Sequence, residues 1–382
     1  MPGYELVDKK EQKKINEIFI KSNGVMFAHG FENLRNKIYR VRNFEKEIQK
    51  KLKVKYCLAC TSGTMAQFIA MKALGVRPGD EVITQGFTFI ATVEAIIALG
   101  AKPVFCNIDN TLNMCPDDLK KKITKKTKLV IPVPMLGGQV NMKEIKKIIK
   151  KKKKIKILED ACESFGAKQN GKFVGTQADI GIFSLDFAKT ITTGEGGLIV
   201  TNSKKYYMFC KEFHDHGHKN DPKIPRGEER ARLAGLNLRM TEMQAAFGLA
   251  QLTKLDKIVN TNRKNKFFLK TKIKKKNFFQ FRKIIESKNE LADTLIIICQ
   301  NKKVTKKFYK HLLKNDCPIK ILPNALYWHF AGYWKHILNK KQIRELNYSS
   351  KLLERCIAIP IMVKAKKKQL IKYANIINEF KA

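Results

Sequence analysis

Residues 181–201 of the chain read GIFSLDFAKTITTGEGGLIVT. The stretch begins and ends in short apolar runs, 180–185 and 198–201, which are typical of two strands. Between them lies a polar, glycine-containing connection with one lysine, Lys189. A lysine held between two core strands is partly desolvated, which lowers the pKa of its amine and makes it a better nucleophile. The alternative is an ordinary surface lysine, because lysine and arginine together number 76.

Strand and helix patterns alternate on both sides of this stretch. Strands are predicted at 56–59, 81–84, 103–105, 129–133 and 156–158, and helices at 43–53, 66–74, 91–99, 141–150 and 204–214. Such alternation predicts an α/β fold with a mostly parallel central sheet and helices on both faces. A further helix is predicted from Thr241 to about Asn262. The 382 residues suffice for two domains, which we place at 1–255 and, as a smaller α+β domain, at 256–382.

Three polar or aromatic features fall at predicted strand ends. The turn 61–64, TSGT, joins a strand to a helix, so the backbone of Gly63 and Thr64 could hold a phosphate; an ordinary helix cap is the alternative. Phe89 follows the strand 81–84, where ligands bind in such sheets, although either it or Phe87 belongs to the core. Asp160 follows the strand 156–158, and a carboxylate there is costly to bury unless it meets a cation.

Two segments resemble a known family. Ser184 and Lys189 ahead of GEGG, together with GLNLRMTEMQAA at 235–246, are similar to the DegT/DnrJ/EryC1/StrS family of sugar aminotransferases. That resemblance implies an aspartate-aminotransferase-like fold of type I and a pyridoxal 5'-phosphate (PLP) cofactor. It also implies that Lys189 is the Schiff-base lysine and the general acid and base.

The resemblance assigns the other cofactor contacts. Gly63, Thr64 and Ser184 are expected to hold the phosphate, Phe89 to stack on the ring, and Asp160 to keep the ring nitrogen protonated. Glu163 stands where the family usually has glutamine or histidine facing the phenolic oxygen, so its carboxylate must be protonated or turned away. Asn237 is expected to reach the cofactor phosphate of a partner subunit, which implies a homodimer with shared active sites.

The substrate is less constrained. Segments such as KTITTGEGG, HDHGH and WHF…WKH, and the opening MPGYEL, resemble the members of the family that aminate C8 of 8-oxo-3-deoxy-manno-octulosonate, a lipopolysaccharide sugar acid. Glutamate is the expected amino donor, and Arg239, His216 and His329 are candidates to bind the substrate. The alternative is amination of a 4-keto or 3-keto nucleotide-linked sugar. Aromatic and histidine side chains around His329 could equally pack between the domains.

The formal net charge of +42 suggests a different class of function, a non-catalytic basic protein that binds nucleic acid or another partner. The lysines are, however, spread along the chain, and aromatic residues do not alternate with the basic runs as on a base-stacking surface. We therefore predict an enzyme without a nucleic-acid partner. The cationic surface would instead attract anionic substrates.

The remaining features concern location and metals. The charged opening residues lack the apolar core of a secretory signal, and no apolar run is long enough to span a membrane. Nine cysteines without a regular spacing fit reduced thiols, so a cytoplasmic protein with no membrane partner is predicted. Cys57 and Cys60 form a CxxC but are interpreted as strand residues. The histidines at 214, 216 and 218 lack partners at ligand spacing, so no metal is expected.

Overall fold

The computed structural model describes residues 3–150, 152, 154–221 and 223–381. The strands in these ranges are β1 (Tyr56–Cys60), β2 (Glu81–Gln85), β3 (Lys102–Cys106), β4 (Thr127–Ile131), β5 (Lys156–Asp160), β6 (Lys168–Gln169), β7 (Lys172–Phe173), β8 (Ile180–Ser184), β9 (Gly197–Thr201), β10 (Phe279–Phe281), β11 (Thr294–Cys299) and β12 (Cys356–Pro360). Both apolar runs of the stretch 181–201 are therefore strands, as predicted.

The helices follow the strands in near alternation. They are α1 (Lys9–Ser22), α2 (Arg40–Leu52), α3 (Gly63–Ala73), α4 (Ala91–Ala98), α5 (Pro116–Lys122), α6 (Met142–Lys150), α7 (Lys204–Phe213), α8 (Glu242–Leu252), α9 (Leu255–Lys272), α10 (Lys302–Lys314), α11 (Leu326–His329), α12 (Lys340–Glu345), α13 (Asn347–Leu353) and α14 (Lys367–Glu379). Short 3-10 turns occur at Tyr4–Leu6, Met135–Gly137, Arg226–Glu228 and Ala331–Tyr333.

The central sheet has the strand order β1-β9-β8-β5-β4-β2-β3. The pairs β8–β5, β5–β4, β4–β2 and β2–β3 are parallel, whereas β9 runs antiparallel to both β1 and β8. The prediction of a mostly parallel sheet is therefore confirmed. Because the parallel strands share one direction, their carboxyl ends lie at the same edge of the sheet, and β5 and β8 are neighbours there.

Helices cover both faces of the sheet because its strands are apolar on both sides. On β1, Leu58 and Cys60 point into the core that includes Ile69 of α3, whereas Cys57 and Ala59 point into the core that includes Phe44 and Ile48 of α2. The interpretation of the CxxC cysteines as strand residues is thus confirmed. They alternate across the sheet as side chains of a strand must.

The helix predicted from Thr241 to about Asn262 is two helices, α8 and α9, so that prediction is wrong in its middle. Thr241 does cap α8, because its side chain accepts from the Gln244 N–H and Gln244 bonds back. The break lies at Thr253 and Lys254. There the Lys254 ammonium donates to Glu11 of α1 at 2.6 Å, and this buried ion pair between distant segments outweighs the local helical pattern.

The second sheet, β10-β11-β12, lies in the C-terminal part of the chain. Helix α9 begins at Leu255, next to the predicted boundary between 1–255 and 256–382, and connects the two parts. Leu255 and Ile258 belong to the core around β8, whereas Leu269 belongs to the core around β11. Trp334 nevertheless packs in the core of the large sheet, so the later part of the chain also contributes to it. The domain division stays a prediction.

The amino-terminal turn lies directly against the quoted stretch. Met1 and Pro2 of the opening MPGYEL lie outside the described residues. The Gly3 N–H donates to the carbonyl of Lys189 at 3.0 Å, and Tyr4 stacks on Phe187 with ring centroids 5.3 Å apart. Glu5 accepts hydrogen bonds from the backbone of Val363 and Lys364. This turn therefore fixes the backbone of Lys189 from outside.

A carboxyl group on α2 is expected to make the stability of the fold pH dependent. Loss of hydration raises the pKa of Glu45 to about 7, although its Oε1 accepts from the Ala59 N–H at 2.8 Å. A carboxyl group whose pKa is raised on folding stabilises most below its unfolded pKa, and this contribution is lost as the pH rises through 7. Glu45→Gln should increase the free energy of unfolding at pH 8 by roughly 1–2 kcal/mol relative to pH 5, measured by urea denaturation.

The control for this prediction is Glu47→Gln, at an exposed position on the same helix. It should leave the difference between pH 5 and pH 8 unchanged. An unaltered difference in Glu45→Gln as well would contradict the raised pKa.

Three observations bear on location and metals without deciding them. No helix in the part of the chain that the structure describes is long and apolar enough to cross a membrane. All nine cysteines lie within the described ranges and none of them is disulfide bonded. In those same ranges, no three histidine, cysteine, aspartate or glutamate side chains converge as metal ligands would. The predictions of a cytoplasmic location and a metal-free site stay predictions.

Candidate active site

The carboxyl ends of β5 and β8 bring the central groups of the site together. Asp160 is the last residue of β5 and pairs with Ile182 of β8, and Ser184 ends β8 two residues later. The connection from β8 to β9 then carries Lys189, whose N–H donates to the carbonyl of Asp186 at 3.0 Å. Parallel pairing of these strands therefore determines that Asp160, Ser184 and Lys189 share one edge of the sheet.

The predicted phosphate turn lies against this edge. Helix α3 begins at Gly63, and the Ser62 hydroxyl caps it by accepting from the Met65 N–H at 3.1 Å. The first-turn N–H groups of such a helix have no partner within the helix and favour an anion. A methyl group on Gly63 would lie 2.8 Å from Cβ of Ser184, so the two predicted phosphate contacts adjoin. Thr64, the third, is half-buried beside them.

Gly63→Ala is expected to damage the site more than the fold. The added Cβ would meet Cβ of Ser184 at 2.8 Å and Sγ of Cys162 at 3.3 Å, so one of them must shift. We expect cofactor affinity to fall at least about tenfold, and stability by roughly 1–3 kcal/mol, as is usual for overpacking. Fluorescence titration with PLP and thermal unfolding measure the two effects.

Gly227→Ala is the matched control, because a Cβ there meets nothing within 4 Å and the backbone is not left-handed. It should bind PLP as the parent protein does. Equal affinity in both variants would argue against a phosphate at this turn.

Lys189 is paired with Glu163. Its Nζ donates to Oε1 of Glu163 at 2.5 Å, and the two side chains are only 16% and 5% exposed. Burial opposes the charged form of the lysine, but the Glu163 carboxylate outweighs it and raises the pKa of Lys189. Burial likewise opposes the charged carboxylate, and Lys189 with Lys320 outweighs it and lowers the pKa of Glu163.

The expectation that desolvation lowers the pKa of Lys189 is therefore wrong for this structure. The carboxylate stands on a different segment, and the pattern around Lys189 gave no sign of it. Glu163 faces Lys189, and its lowered pKa favours the carboxylate form. Its position relative to the phenolic oxygen of PLP stays a prediction.

Asp160 is buried among neutral donors. Gln67 Nε2 donates to its Oδ2 at 2.6 Å, the Thr92 hydroxyl donates to the same oxygen at 2.9 Å, and the Cys162 N–H donates to Oδ1. Burial raises the pKa of Asp160, and these hydrogen bonds lower it only in part. A cation beside such a buried carboxyl group stabilises its ionised form. The predicted contact between Asp160 and a protonated ring nitrogen of PLP requires this.

The sequence analysis missed Gln67 and Thr92. A signal for Gln67 was available, because it is a polar residue in the otherwise apolar run 65–71 of α3 and is 3% exposed. Thr92 gives no such signal, since threonine in the first turn of a helix is common.

Phe89 and His329 form the rim of the site. Phe89 is 43% exposed and its ring centroid lies 5.2 Å from that of His329, whereas Phe87 is fully buried and is the core residue of the two. The Thr88 N–H donates to the carbonyl of His329, which ties the two segments together. Burial lowers the pKa of His329, and the charges of Glu163 and Lys189 act on it in opposite directions.

The other three predicted residues lie in a second cluster. Arg239 and Arg226 both donate to Asp215, with His29 Nε2 at 3.5 Å from the same carboxylate. Asn237 pairs through its backbone with Asp215 and its side chain is exposed. His216 is exposed and left-handed, with φ 53°.

The second cluster borders its own space. Arg226 and Arg239 line a cavity of about 900 Å³ with His29, Tyr39 and Glu45. Across the residues that the structure describes, no hydrogen bond or ion pair joins this cluster to Lys189 or Glu163. The substrate roles of Arg239 and His216, and the partner-subunit role of Asn237, stay predictions.

The residues of the first cluster fit PLP. The space above Gly63 accepts no side chain, and a helix N-terminus lies there for a phosphate. Oε2 of Glu163 is buried without a hydrogen-bond partner in the described ranges, and Asp160 has donors but no cation. Lys189 would bond the aldehyde carbon, Asp160 would hold the ring nitrogen, and Phe89 would cover the ring.

Comparison with known proteins decides the family. The family model described as the DegT/DnrJ/EryC1/StrS aminotransferase family matches residues 32–378. The chain belongs to this family. The resemblance inferred from residues 181–201 and 235–246 is therefore confirmed, and so are an aminotransferase and PLP as the enzyme class and cofactor of the family.

Two relatives within the DegT/DnrJ/EryC1/StrS family have names that include a nucleotide-linked sugar. The GDP-perosamine synthase of Escherichia coli O157:H7 is 39% identical over 224 residues, which are 58% of this chain and 60% of that protein. The UDP-2-acetamido-2-deoxy-3-oxo-D-glucuronate aminotransferase of Pseudomonas aeruginosa is 39% identical over 200 residues, 52% of this chain and 54% of that protein. The chain thus aligns with less than two thirds of either relative.

The DegT/DnrJ/EryC1/StrS fold extends over nearly the whole chain. The solved aminotransferase from Psychrobacter cryohalolentis superimposes with a TM-score of 0.85 at 23% identity, covering 97% of this chain and 96% of that one. The predicted aspartate-aminotransferase-like fold of type I is confirmed.

Proposed function

We propose that this protein is a PLP-dependent aminotransferase that transfers an amino group from L-glutamate to a keto sugar linked to a nucleotide. One observation carries the proposal. The Lys189 amine lies at the same sheet edge as the phosphate turn at Gly63 and the buried carboxyl group of Asp160. The names of the relatives support a nucleotide sugar as the acceptor.

When bound, PLP supplies an electrophilic aldehyde carbon and a ring that withdraws electrons from an attached amino group. The chain supplies position and proton transfer. Asp160, held by Gln67 and Thr92, keeps a positive charge on the ring nitrogen. Lys189 Nζ is the proton acceptor and donor at the donor's α-carbon, and Glu163 beside it accepts a hydrogen bond from the charged amine.

The octulosonate is the competing substrate. The segments around Lys189 and His329 resemble enzymes that act on it, but the names of the relatives favour the nucleotide sugar. Its carboxylate would need a cation that is not already paired. Arg239 is already hydrogen bonded to Asp215, and burial lowers the pKa of His329 and so favours its neutral form, which counts against both as the cation for the octulosonate.

A homodimer is part of the proposal. The Asn237 side chain is exposed, and the apolar residues Leu236 and Met243, close to it in the sequence, are 46% and 41% exposed. Such apolar surface next to a site residue favours an interface between copies. One chain has a mass of 43.9 kDa, and light scattering should give twice that value. Asn237→Ala should weaken PLP binding without dissociating the dimer.

The test of function uses the purified protein loaded with PLP. Incubation with L-glutamate should yield 2-oxoglutarate and shift the visible absorbance band to the near ultraviolet. We would then add a GDP- or UDP-linked 4-keto or 3-keto sugar, or 8-oxo-3-deoxy-manno-octulosonate, and identify the amine by mass spectrometry. A product from a nucleotide sugar supports the proposal, whereas a product from the octulosonate alone overturns its choice of substrate.

The same experiment tests the alternative function, that of a non-catalytic basic protein. That alternative predicts no visible band after addition of PLP, and binding to nucleic acid that weakens steeply with salt. A band that forms and responds to glutamate excludes it.

A further inference from the structure

The ion pair of Lys189 and Glu163 is more than a contact within the site. Nζ and Oε1 lie 2.5 Å apart, and both side chains are nearly withdrawn from water. A buried ammonium group paired this closely is held in its charged form, because loss of its proton to solvent leaves an unpaired buried carboxylate. An ammonium nitrogen has no free electron pair and cannot attack a carbonyl carbon.

Other titratable groups around the pair favour the same charged forms. Cys162 and Asp186 add to the raised pKa of Lys189, while His329 and Lys320 face Glu163 and help to keep it ionised. Lys320 is itself paired with Asp293 at 2.6 Å, and His329 Nδ1 is held by the carbonyl of Ala325. Glu163 is therefore the one carboxylate in direct hydrogen-bond contact with Lys189 among the described residues.

Hydrogen bonds on both sides hold the backbone of Lys189 in place. Its carbonyl accepts from the Gly3 N–H at 3.0 Å and its N–H donates to Asp186 at 3.0 Å. The side chain alone must leave Glu163 before it can bond a ligand.

We propose that Glu163 holds Lys189 in its charged, unreactive form and so limits the rate at which the protein captures its aldehyde cofactor. This inference rests on the proposed function. The ammonium group first transfers one proton to Glu163 or to solvent. The neutral amine then forms a carbon–nitrogen double bond with the aldehyde carbon, and the aldehyde oxygen leaves as water with the two remaining nitrogen protons.

Capture should therefore accelerate as the pH rises, because each unit of pH below the pKa of an amine reduces its neutral fraction tenfold. In Glu163→Gln the amide can still accept a hydrogen bond from Nζ but carries no charge. Burial then dominates and lowers the pKa of Lys189. Capture at pH 7 should become at least about tenfold faster, with the pH profile displaced to lower pH.

The experiment uses cofactor-free protein mixed with PLP in a stopped-flow spectrophotometer between pH 6 and 10. The bimolecular rate constant is measured from the rise of the visible band. Glu159→Gln is the matched control, because Glu159, on β5, also carries a buried carboxyl group but accepts from the Gln177 N–H and not from Lys189. It should reproduce the parent profile.

Glu163→Asp guards against a folding defect in the glutamine variant. It retains the charge but is one methylene shorter, so its profile should lie between those of the parent and Glu163→Gln. Equal profiles for the parent and both Glu163 variants would overturn the inference and leave the aminotransferase standing. If the parent and the Glu159→Gln control form no visible band at any pH, the proposed function fails instead.

Discussion

Lys189→Ala should abolish transamination, with the rate falling by at least about a thousandfold, because the proposal assigns to this one amine both the bond to the cofactor and the transfer of the α-proton. The visible band that PLP forms in the parent protein should be absent, while PLP still binds weakly through the turn at Gly63. Activity is measured as 2-oxoglutarate formed from L-glutamate, and absorbance is recorded with saturating PLP.

The control is Lys205→Ala, an exposed lysine on α7. It should retain full activity and the same absorbance band, since one surface charge among 76 basic residues has little effect. Lys189→Ala leaves the buried Glu163 carboxyl group without its partner and should lower the free energy of unfolding, so thermal unfolding must show that the variant is folded at the assay temperature. A variant that keeps a tenth of the parent activity would refute the role assigned to Lys189.

Asp160→Asn should separate activity from stability. The amide cannot hold a positive charge on the ring nitrogen, so kcat should fall by about a hundredfold or more. Without cofactor, the stability of the variant should depend less on pH than that of the parent, although the new amide nitrogen loses at least one of the hydrogen bonds that the carboxylate accepts. Burial raises the pKa of Asp160 in the folded protein. Its ionisation therefore opposes folding once the pH exceeds the pKa of the carboxyl group in the unfolded chain. Stability falls further as the pH rises through the pKa of the folded protein.

We expect the free energy of unfolding of the cofactor-free variant, measured in urea relative to the parent, to be higher at pH 8 than at pH 4 by roughly 1 kcal/mol. Asp117→Asn, at an exposed position in the first turn of α5, controls for the loss of a carboxylate and should change neither kcat nor this pH difference. The same difference between variant and parent at pH 4 and pH 8 would contradict the raised pKa of Asp160.

Most of the sheet could be predicted from the sequence because its strands are short apolar runs bounded by turns. The same holds for Gly63, Asp160 and Ser184, since their positions at strand ends determine where the fold places them. The helix break at Lys254 could not be predicted, because its cause is Glu11, on a helix at the other end of the chain. Local patterns carry no information about such partners.

The pKa shifts of the site could not be predicted from the sequence for the same reason. The pKa of Lys189 depends on burial and on Glu163, and the pKa of Asp160 depends on burial and on hydrogen bonds that include the one from Thr92. Burial and the contacts with Glu163 and Thr92 arise only when the strands assemble. Arg239 resembles a free substrate cation in the sequence, whereas the structure gives it Asp215 as a partner. Residue type and spacing indicate which groups can do chemistry, and the fold decides which of them are already engaged.

The order of strands in the central sheet has a consequence for biosynthesis. Tyr56 of β1 pairs with Thr201 of β9, and α1 and α2 pack against α8. A nascent chain therefore emerges from the ribosome with β1 unpaired and with Phe44 and Ile48 of α2 exposed until α8 has followed. Such delayed, long-range pairing leaves apolar surface open to aggregation. Truncations that end before α8 should need chaperones to stay in solution.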